Sequence, residues 1–456
     1  MRARHAAFLS GALSLLAAAV LIMACAPGQS PAPATGRPNI LLIIVDTMRK
    51  DHLGCYGYAR DITPNMDALA TLSVRYEQAV SQAPWTTPSI GALMASRYPA
   101  ELGIRGSRSI LSEDLLLLAE SLRAAGYRTQ GVVSHTFCSA QWNFDQGFDK
   151  WDESSIVRHN KATSPRVTEE ALRFLNDGDP EEPFFMWLHY FDPHGMYLLH
   201  PEFDPTPGID YQGVIRQGMG FWALRDMWPS LAPQDVEQVI RAYDSEIGYT
   251  DHHIGMVLDR LREMDLFDDT LIILTADHGE GFGDHGTVGH DDMLYRELLD
   301  VPLLVKYPGR APATVTGPVA LVDIYPTLLR ELGLPALDGM AGRPLPRSPL
   351  EDENGERILF AETSRRAILR AAISSRFKLI ETLPDGTLEF YDRLQDPEEK
   401  HNLAPSTDPE FARLRKALAD WLDEMEKGAR DETTSDLSDE NLRRLRSLGY
   451  VGGEDD

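Results

Sequence analysis

Two continuous apolar runs, each broken by an aspartate, restrict what this chain can fold into more than any other feature. Leu271-Ile272-Ile273-Leu274 leads into Thr275-Ala276-Asp277-His278-Gly279-Glu280 and a glycine-rich loop that ends at His290, and Asn39–Val45 leads into Asp46. Apolar runs of this length without polar alternation have the pattern of strands buried on both faces, as in parallel sheets covered by helices. The expectation is an α/β fold whose chemistry lies outside the carboxyl ends of its strands.

In a parallel sheet, Asp46 and the pair Asp277-His278 reach the same edge. A strand would aim adjacent Asp277 and His278 to opposite faces, but a loop leaving the sheet can turn both toward one ion. Two carboxylates and an imidazole make a divalent-metal site with an open position. The plainer role for an Asp after a strand is to cap the next helix. Two such strand ends, one followed by Asp-His-Gly-Glu and a glycine-rich loop, favour the metal.

Residues 39–58 (Asn-Ile-Leu-Leu-Ile-Ile-Val-Asp-Thr-Met-Arg-Lys-Asp-His-Leu-Gly-Cys-Tyr-Gly-Tyr) resemble the opening of sulfatases, within the alkaline-phosphatase superfamily. Ala276-Asp277-His278-Gly279-Glu280 resembles that family's second metal segment, and the likeness extends over residues 38–425. The resemblance implies an alkaline-phosphatase-like α/β/α sandwich with a large mixed, mostly parallel sheet and a small C-terminal α+β subdomain. It also implies a hydrolase of sulfuric or phosphoric esters.

The stretch Ala83-Pro84-Trp85-Thr86-Thr87-Pro88-Ser89-Ile90 departs from that family. Pro88 suits a first helical position and predicts a helix to Ser96, so Thr86 sits just ahead of a helix N-terminus, where positive potential suits an anionic ester. In sulfatases the stretch reads Cys-x-Pro-Ser-Arg, and the cysteine is oxidised to formylglycine. Here Thr86 stands in the cysteine's place and Ile90 in the arginine's, so no formylglycine is expected. Related phosphoethanolamine transferases and lipoteichoic acid synthases use a threonine as metal-bound nucleophile. That use makes Thr86 the candidate nucleophile and leaves Thr87 as the expected helix cap.

Other positions follow the same comparison. Ser134-His135 fill the region where sulfatases carry an active-site lysine. Residues 184–188 read as a strand leading to His189-Tyr190-Phe191-Asp192-Pro193-His194, where Pro-His resembles the family's His-x-Pro-His. His194 is thus the candidate to bind the ester or protonate its leaving group, while His189 and His200 read as packing or surface residues. His290 aligns with the family's Gly-x-Lys and is a candidate to bind an ester oxygen, or to complete a second metal with His194 or His285. Residues 238–264 read as one helix, on which adjacent His252 and His253 point about 100° apart, so Asp251-His252-His253 reads as structural.

Sulfatases hold calcium with two aspartates at the first strand and Asp-Asn at the later one, whereas this chain has Asp46-Thr47 and Asp277-His278. Imidazole is a poor partner for calcium and a good one for zinc or manganese. The expected metal set is Asp46, Thr86, Asp277 and His278, with zinc or manganese favoured over calcium. The expected reaction is in-line attack by Thr86 on a small sulfate, phosphate or phosphonate ester, with His194 or His290 protonating the leaving group. Two other classes stay open: a headgroup phosphotransferase of the same superfamily, and a non-catalytic sulfate- or glycan-binding homologue.

At 456 residues the chain can bury one large α/β domain and a small appendage. Its net charge of −26 argues against nucleic acid and anionic lipid surfaces as partners, and a small ester is easier to accommodate than a polyanionic polymer. Arg2 and Arg4, the apolar run 6–23 and Ala24-Cys25 have the form of a bacterial lipoprotein signal, with Cys25 acylated after cleavage. An uncleaved membrane anchor is the alternative. The expected layout is a signal peptide at 1–24, a tether at 25–37, a catalytic domain at 38–345, a C-terminal subdomain at 346–430, and an acidic linker with a docking helix at 431–456. The protein would then be exported and membrane-anchored on the periplasmic side. Cys55 and Cys138 remain, an even count compatible with export, although the Gly-Cys-Tyr-Gly setting of Cys55 reads as buried rather than bonded.

Overall fold

The first strand is wholly buried along its length, as a strand covered on both faces must be, and it occupies the middle of the main sheet. The structure is a computed structural model and describes residues 36–156, 162–179, 181–286, 288–290, 292–351, 356–365 and 367–435. The expected signal peptide, most of the tether and the docking helix lie outside these residues. Among the described residues, no helix is long and apolar enough to cross a membrane.

In chain order, the first eleven strands are β1 (Asn39–Val45), β2 (Val74–Val80), β3 (Arg128–Val132), β4 (Lys150–Asp152), β5 (Phe184–Tyr190), β6 (Thr270–Ala276), β7 (Gly281–Phe282), β8 (Val288–Gly289), β9 (Asp300–Val301), β10 (Leu303–Lys306) and β11 (Ala313–Ala320). β1 pairs in parallel with β5 on one side and β6 on the other, so that Val45 lies opposite both Tyr190 and Ala276. β3 and β4 extend the parallel run beyond β5. On the far side β10 is antiparallel to β6 and β2, and β11 returns parallel to β2. The order is therefore β11-β2-β10-β6-β1-β5-β3-β4, a mixed and mostly parallel sheet. Later strands lie on both sides of β1, so its carboxyl end faces the crevice where such sheets bind ligands.

Every residue of β1, β5 and β6 is buried, because helices cover both faces. The helix Pro233–Glu263 packs on Pro64–Ala70 and Ser164–Asp177, while Thr86–Ala95 packs on Leu118–Ala124 and Ile324–Glu331. Tertiary partners shift some helix starts from where the sequence puts them. The sequence predicts a capped amphipathic helix over 111–126, but the helix begins only at Leu118, since Ile110 and Leu111 give their N–H groups to the Thr433 and Trp142 carbonyls. The helix Pro64–Ala70 is capped from outside by Asp251, which accepts from the N–H groups of Asn65 at 3.1 Å and Met66 at 2.8 Å. The sequence offers Thr63 as the cap of this helix, but Thr63 makes no cap bond and its hydroxyl donates to Asp67 at 3.0 Å.

A second, antiparallel sheet follows: β12 (Leu359–Thr363), β13 (Ile368–Ile373), β14 (Phe377–Leu383) and β15 (Thr387–Asp392). The helix Pro409–Gly428 closes its core with Phe411, Leu414, Leu418 and Trp421, and Asp408 caps it by accepting from Glu410 N–H at 2.9 Å. Arg393 fastens this unit to the main sheet through a buried ion pair with Asp300 at 2.7 Å, and Lys378, paired with Glu399 inside the unit at 2.7 Å, donates across to the Leu294 carbonyl at 2.8 Å. Cys55 and Cys138 are both free.

Candidate metal centre and nucleophile

The chain past β1, β2, β3, β5 and β6 supplies Asp46, Thr86, His135, His194 and Asp277-His278, all buried. Asp46 and Asp277 are fully buried and directly follow two neighbouring parallel strands. His278 Nδ1 lies 2.9 Å from the Gly279 carbonyl and must donate to it, which leaves the Nε2 lone pair turned inward. That Nε2 is 3.7 Å from Asp46 Oδ1, 3.4 Å from Asp277 Oδ2 and 3.5 Å from Thr86 Oγ1. Two carboxylates and a lone pair therefore face one point, an arrangement that repels itself unless a cation or proton sits between them. Asp277 Oδ2 has no hydrogen-bond partner. The donor set fits a divalent metal ion on these grounds.

The four residues of the expected metal set are thus brought together. Thr86 opens the helix Thr86–Ala95 from within its first turn rather than preceding it, and Trp85 stands at the cap position without a side-chain bond. Thr87 does not cap, contrary to the sequence expectation, because its hydroxyl donates to the Phe137 carbonyl at 2.9 Å. Ser89, one turn along, donates to the Asp277 carbonyl at 2.6 Å and so fixes this helix to the end of β6. Thr47, which stands where the family's second aspartate falls, turns its hydroxyl to the Asp46 carbonyl at 2.8 Å and away from the ligand oxygens.

His189 lies at the site, against the sequence expectation. It was expected to pack or lie at the surface, yet β5 runs beside β1 with His189 opposite Ile44, which brings the imidazole to the site. Asp46, Asp277 and His189 each offer a ligand atom within 4.8 Å of the others. His135 also arrives, with Nδ1 3.1 Å from Asp46 Oδ2 while His189 Nε2 lies at 3.6 Å. Both follow apolar stretches at strand ends, a signal present in the sequence. Burial pushes His189 down to about 4, and burial also lowers His278, with His290 adding to the shift and Asp277 opposing it. Both imidazoles are neutral at pH 7, the form that binds metals.

His194 and His290 border the same space. Their ring centroids are 5.0 Å apart, and His290 is 4.6 Å from the ring of His278. His290 Nδ1 meets Glu280 Oε1 at 3.1 Å, and Tyr197 donates to the other oxygen of Glu280 at 2.9 Å. His285 points elsewhere, between Glu297 at 2.7 Å and the Glu399 carbonyl at 2.9 Å, so it joins no metal set with His290. Asp284 pairs with Arg49 at 2.8 Å. His200 stacks on Tyr249 at 4.0 Å and meets Glu246, while Asp251 serves as the cap described above.

The sulfatase family model matches residues 38–334, and the model for the N-sulphoglucosamine sulphohydrolase C-terminal region matches residues 283–428. An ulvan-active sulfatase of Formosa agariphila is 26% identical over 466 residues, spanning 92% of this chain and 86% of the relative. Two solved structures share the fold. A protein bound to its substrate D-glucosamine-2-N,6-O-disulfate gives a TM-score of 0.71 at 22% identity, over 86% of this chain and 98% of that one. The phosphonate monoester hydrolase of Agrobacterium radiobacter gives 0.68 at 21% identity, over 86% and 96%. With the family model spanning the whole main sheet and an alkaline-phosphatase-like fold beneath it, the chain is an ester hydrolase that belongs to the sulfatase family.

Proposed function

We propose that this protein is a metal-dependent hydrolase of small sulfate, phosphate or phosphonate esters that uses Thr86 as its nucleophile. The observation that carries the reading is the approach of Thr86 Oγ1 to His278 Nε2 at 3.5 Å, inside the group formed with Asp46 and Asp277. Asp46, Asp277, His278 and the Thr86 oxygen would hold the ion, with His189 within reach, and the imidazole donors favour zinc or manganese over calcium. A bound divalent ion supplies Lewis acidity, which makes the hydroxyl more acidic and offsets charge on the transferred group.

Thr86 Oγ gives up its hydroxyl proton to solvent and forms a bond to phosphorus or sulfur as the bond to the leaving oxygen breaks on the opposite side. His194 or His290 gives a proton to that departing oxygen. Water then attacks the threonyl ester, displacing Thr86 Oγ, which recovers a proton. A threonyl ester has no route through an aldehyde hydrate, the exit open to formylglycine, so phosphorus esters suit this nucleophile better than sulfate esters. Residues 1–25 carry the accompanying inference that the enzyme is exported and anchored through lipid on Cys25; membrane release by Cys25→Ser tests it.

The central test is metal analysis of purified protein, with a panel of aryl sulfates, phosphate monoesters, diesters and phosphonates run on wild type and Thr86→Ala. About one metal per chain and turnover that falls at least about 10³-fold in Thr86→Ala support the reading. Absence of stoichiometric metal would overturn the metal-dependent mechanism and leave the hydrolase without this ion. Transfer to an added alcohol in preference to water would favour a transferase.

A further inference from the structure

Both halves of the hydrolysis proposed above need a proton carrier. The leaving oxygen must gain a proton, and the water that opens the threonyl ester must lose one. In-line displacement brings that water in where the leaving group went out, so both transfers fall on the side away from Thr86. His194 and His290 border the site, with ring centroids 5.0 Å apart, and the setting of His290 distinguishes it.

The hairpin of β7 and β8 builds that setting. Gly281 pairs with Gly289 and Phe282 with Val288, so Glu280 and His290, one residue further out on each arm, face each other at its open end. Gly289, at φ of 92°, turns the chain just before His290, and Phe221 presses on it where a Cβ would stand 2.1 Å from Phe221 Cε2. Glu280 Oε1 lies 3.1 Å from His290 Nδ1, and Tyr197 donates to Oε2 at 2.9 Å. Glu280 is 0% exposed, so its carboxylate draws on these donors rather than on water. The Arg49 guanidinium goes instead to the Glu280 backbone carbonyl, at 3.1 Å. Tyr197 is held in turn by the rings of Tyr243 at 5.6 Å and Phe282 at 5.7 Å.

A carboxylate at Nδ1 keeps a proton there and leaves Nε2 as the nitrogen that gains or gives one. The His290 ring is 4.6 Å from that of His278, whose Nε2 is 3.5 Å from Thr86 Oγ1. Resting on the hydrolase reading above, we propose that Glu280 and Tyr197 are positioning residues that make His290 the proton carrier of both steps. In the first step His290 Nε2 gives its proton to the leaving oxygen as the bond from that oxygen to phosphorus or sulfur breaks. In the second, water gives a proton to Nε2 as its oxygen bonds to phosphorus or sulfur and the bond to Thr86 Oγ breaks. Thr86 Oγ then takes back from solvent the proton it lost at the start. His290 Nε2 ends the cycle protonated, as it began, and one water is consumed.

The test compares 4-nitrophenyl and phenyl esters of phosphate and of sulfate on the full-length, metal-loaded protein. Nitrophenolate departs without a proton, so its first step does not need His290, whereas that of the phenyl ester does. Rapid mixing follows the first turnover, and mass spectrometry reads the chain at steady state. In Glu280→Gln and His290→Ala the proposal expects an undiminished first-turnover release of nitrophenolate, a steady rate about 10²-fold below wild type, and one phosphoryl or sulfuryl group held on Thr86. The phenyl ester should lose its first turnover as well, by about 10²-fold. Glu280→Asp should recover about tenfold of the loss, and Tyr197→Phe should cost about threefold with the same pattern. Metal content is read on each variant; where Glu280→Gln falls short, His290→Ala serves as the same test with Glu280 left in place. Equal losses on both leaving groups, with no group held on Thr86, overturn the proton-carrying role and leave the hydrolase reading standing. Turnover by Thr86→Ala at the wild-type rate, or no turnover of any ester, removes the nucleophile reading and this proposal together.

Discussion

The backbone N–H of Thr47 points at Asp277 Oδ1 across 3.3 Å, joining the ends of two strands that are distant in the chain. To do so Thr47 adopts φ of 54°, a left-handed conformation that a β-branched residue enters only under constraint. The constraint is Tyr243, whose hydroxyl donates to the Thr47 carbonyl at 2.7 Å and accepts from Arg49 N–H at 2.8 Å. With Oδ1 held in this way, Asp277 presents Oδ2 to His278.

Removing that constraint should loosen the metal more than the fold. Tyr243→Phe loses two hydrogen bonds in a buried setting, for a cost of about 1–3 kcal/mol in denaturant unfolding. Because it releases the backbone that orients Asp277, it should also lower metal affinity about 10- to 100-fold, read by chelator competition. Unchanged affinity with reduced stability would mean that Thr47 does not orient the site.

Asp46 and Asp277 should trade stability between the metal-free and metal-bound states. Each asparagine variant removes one charge from the self-repelling group, so metal-free Asp46→Asn and Asp277→Asn should unfold on the order of 1 kcal/mol later than metal-free wild type. Added zinc or manganese should raise the wild-type melting temperature strongly, with about 4 kcal/mol gained at a thousandfold excess over Kd, and should raise those of the variants little. Differential scanning calorimetry with and without chelator reads both halves. A variant less stable than wild type in the absence of metal would contradict the repulsion.

Gly279 is the tightest backbone approach at the site. A Cβ there would stand 1.9 Å from the carbonyl oxygen of Glu297, a backbone atom that cannot swing away. The N–H of Gly279 meanwhile donates to the Leu298 carbonyl at 2.9 Å, and its own carbonyl holds His278 Nδ1. Gly279→Ala should therefore cost about 2–4 kcal/mol and displace the His278 ring. Loss of metal binding in the fraction that remains folded is the specific readout, since overpacking elsewhere would spare it.

The strands, and Asp46 and Asp277 at their ends, are legible because each is local: an apolar run, then a carboxylate. Asp46, Thr86 and Asp277 each lie within 3.4–3.7 Å of His278 Nε2. His189 reads from the sequence as a packing or surface residue and His135 only as a filler of the region where the family carries a lysine, since their place depends on which strand lies beside β1, and strand order is a long-range property. Thr87 shows the same limit at smaller scale. Cap propensity is local, but the Phe137 carbonyl that claims the hydroxyl is 50 residues away. The helix predicted over 111–126 loses its first seven residues, about two turns, where Ile110 and Leu111 bond Thr433 and Trp142, for the same reason.

His285 ties the loop of His290 to the C-terminal subdomain in a pH-dependent manner. Its Nδ1 meets the Glu297 carboxylate and its Nε2 meets the Glu399 carbonyl, both acceptors, so both nitrogens donate only when the ring is protonated. Burial lowers its pKa, but the bonds to Glu297 and Glu399 and the charge of Glu297 outweigh burial and the opposing Lys400, and the net shift is upward from 6.5. A histidine raised on folding stabilises fully below its unfolded value and loses that contribution as pH rises through the folded value. Comparing wild type with His285→Gln, the wild-type advantage should be about 1–2 kcal/mol at about pH 5.5 and should shrink steadily as pH climbs above about 6.5. Denaturant midpoints across that range measure it. An advantage that is constant with pH, or that grows toward alkaline pH, would mean the ring is neutral and one of the two contacts is not a hydrogen bond.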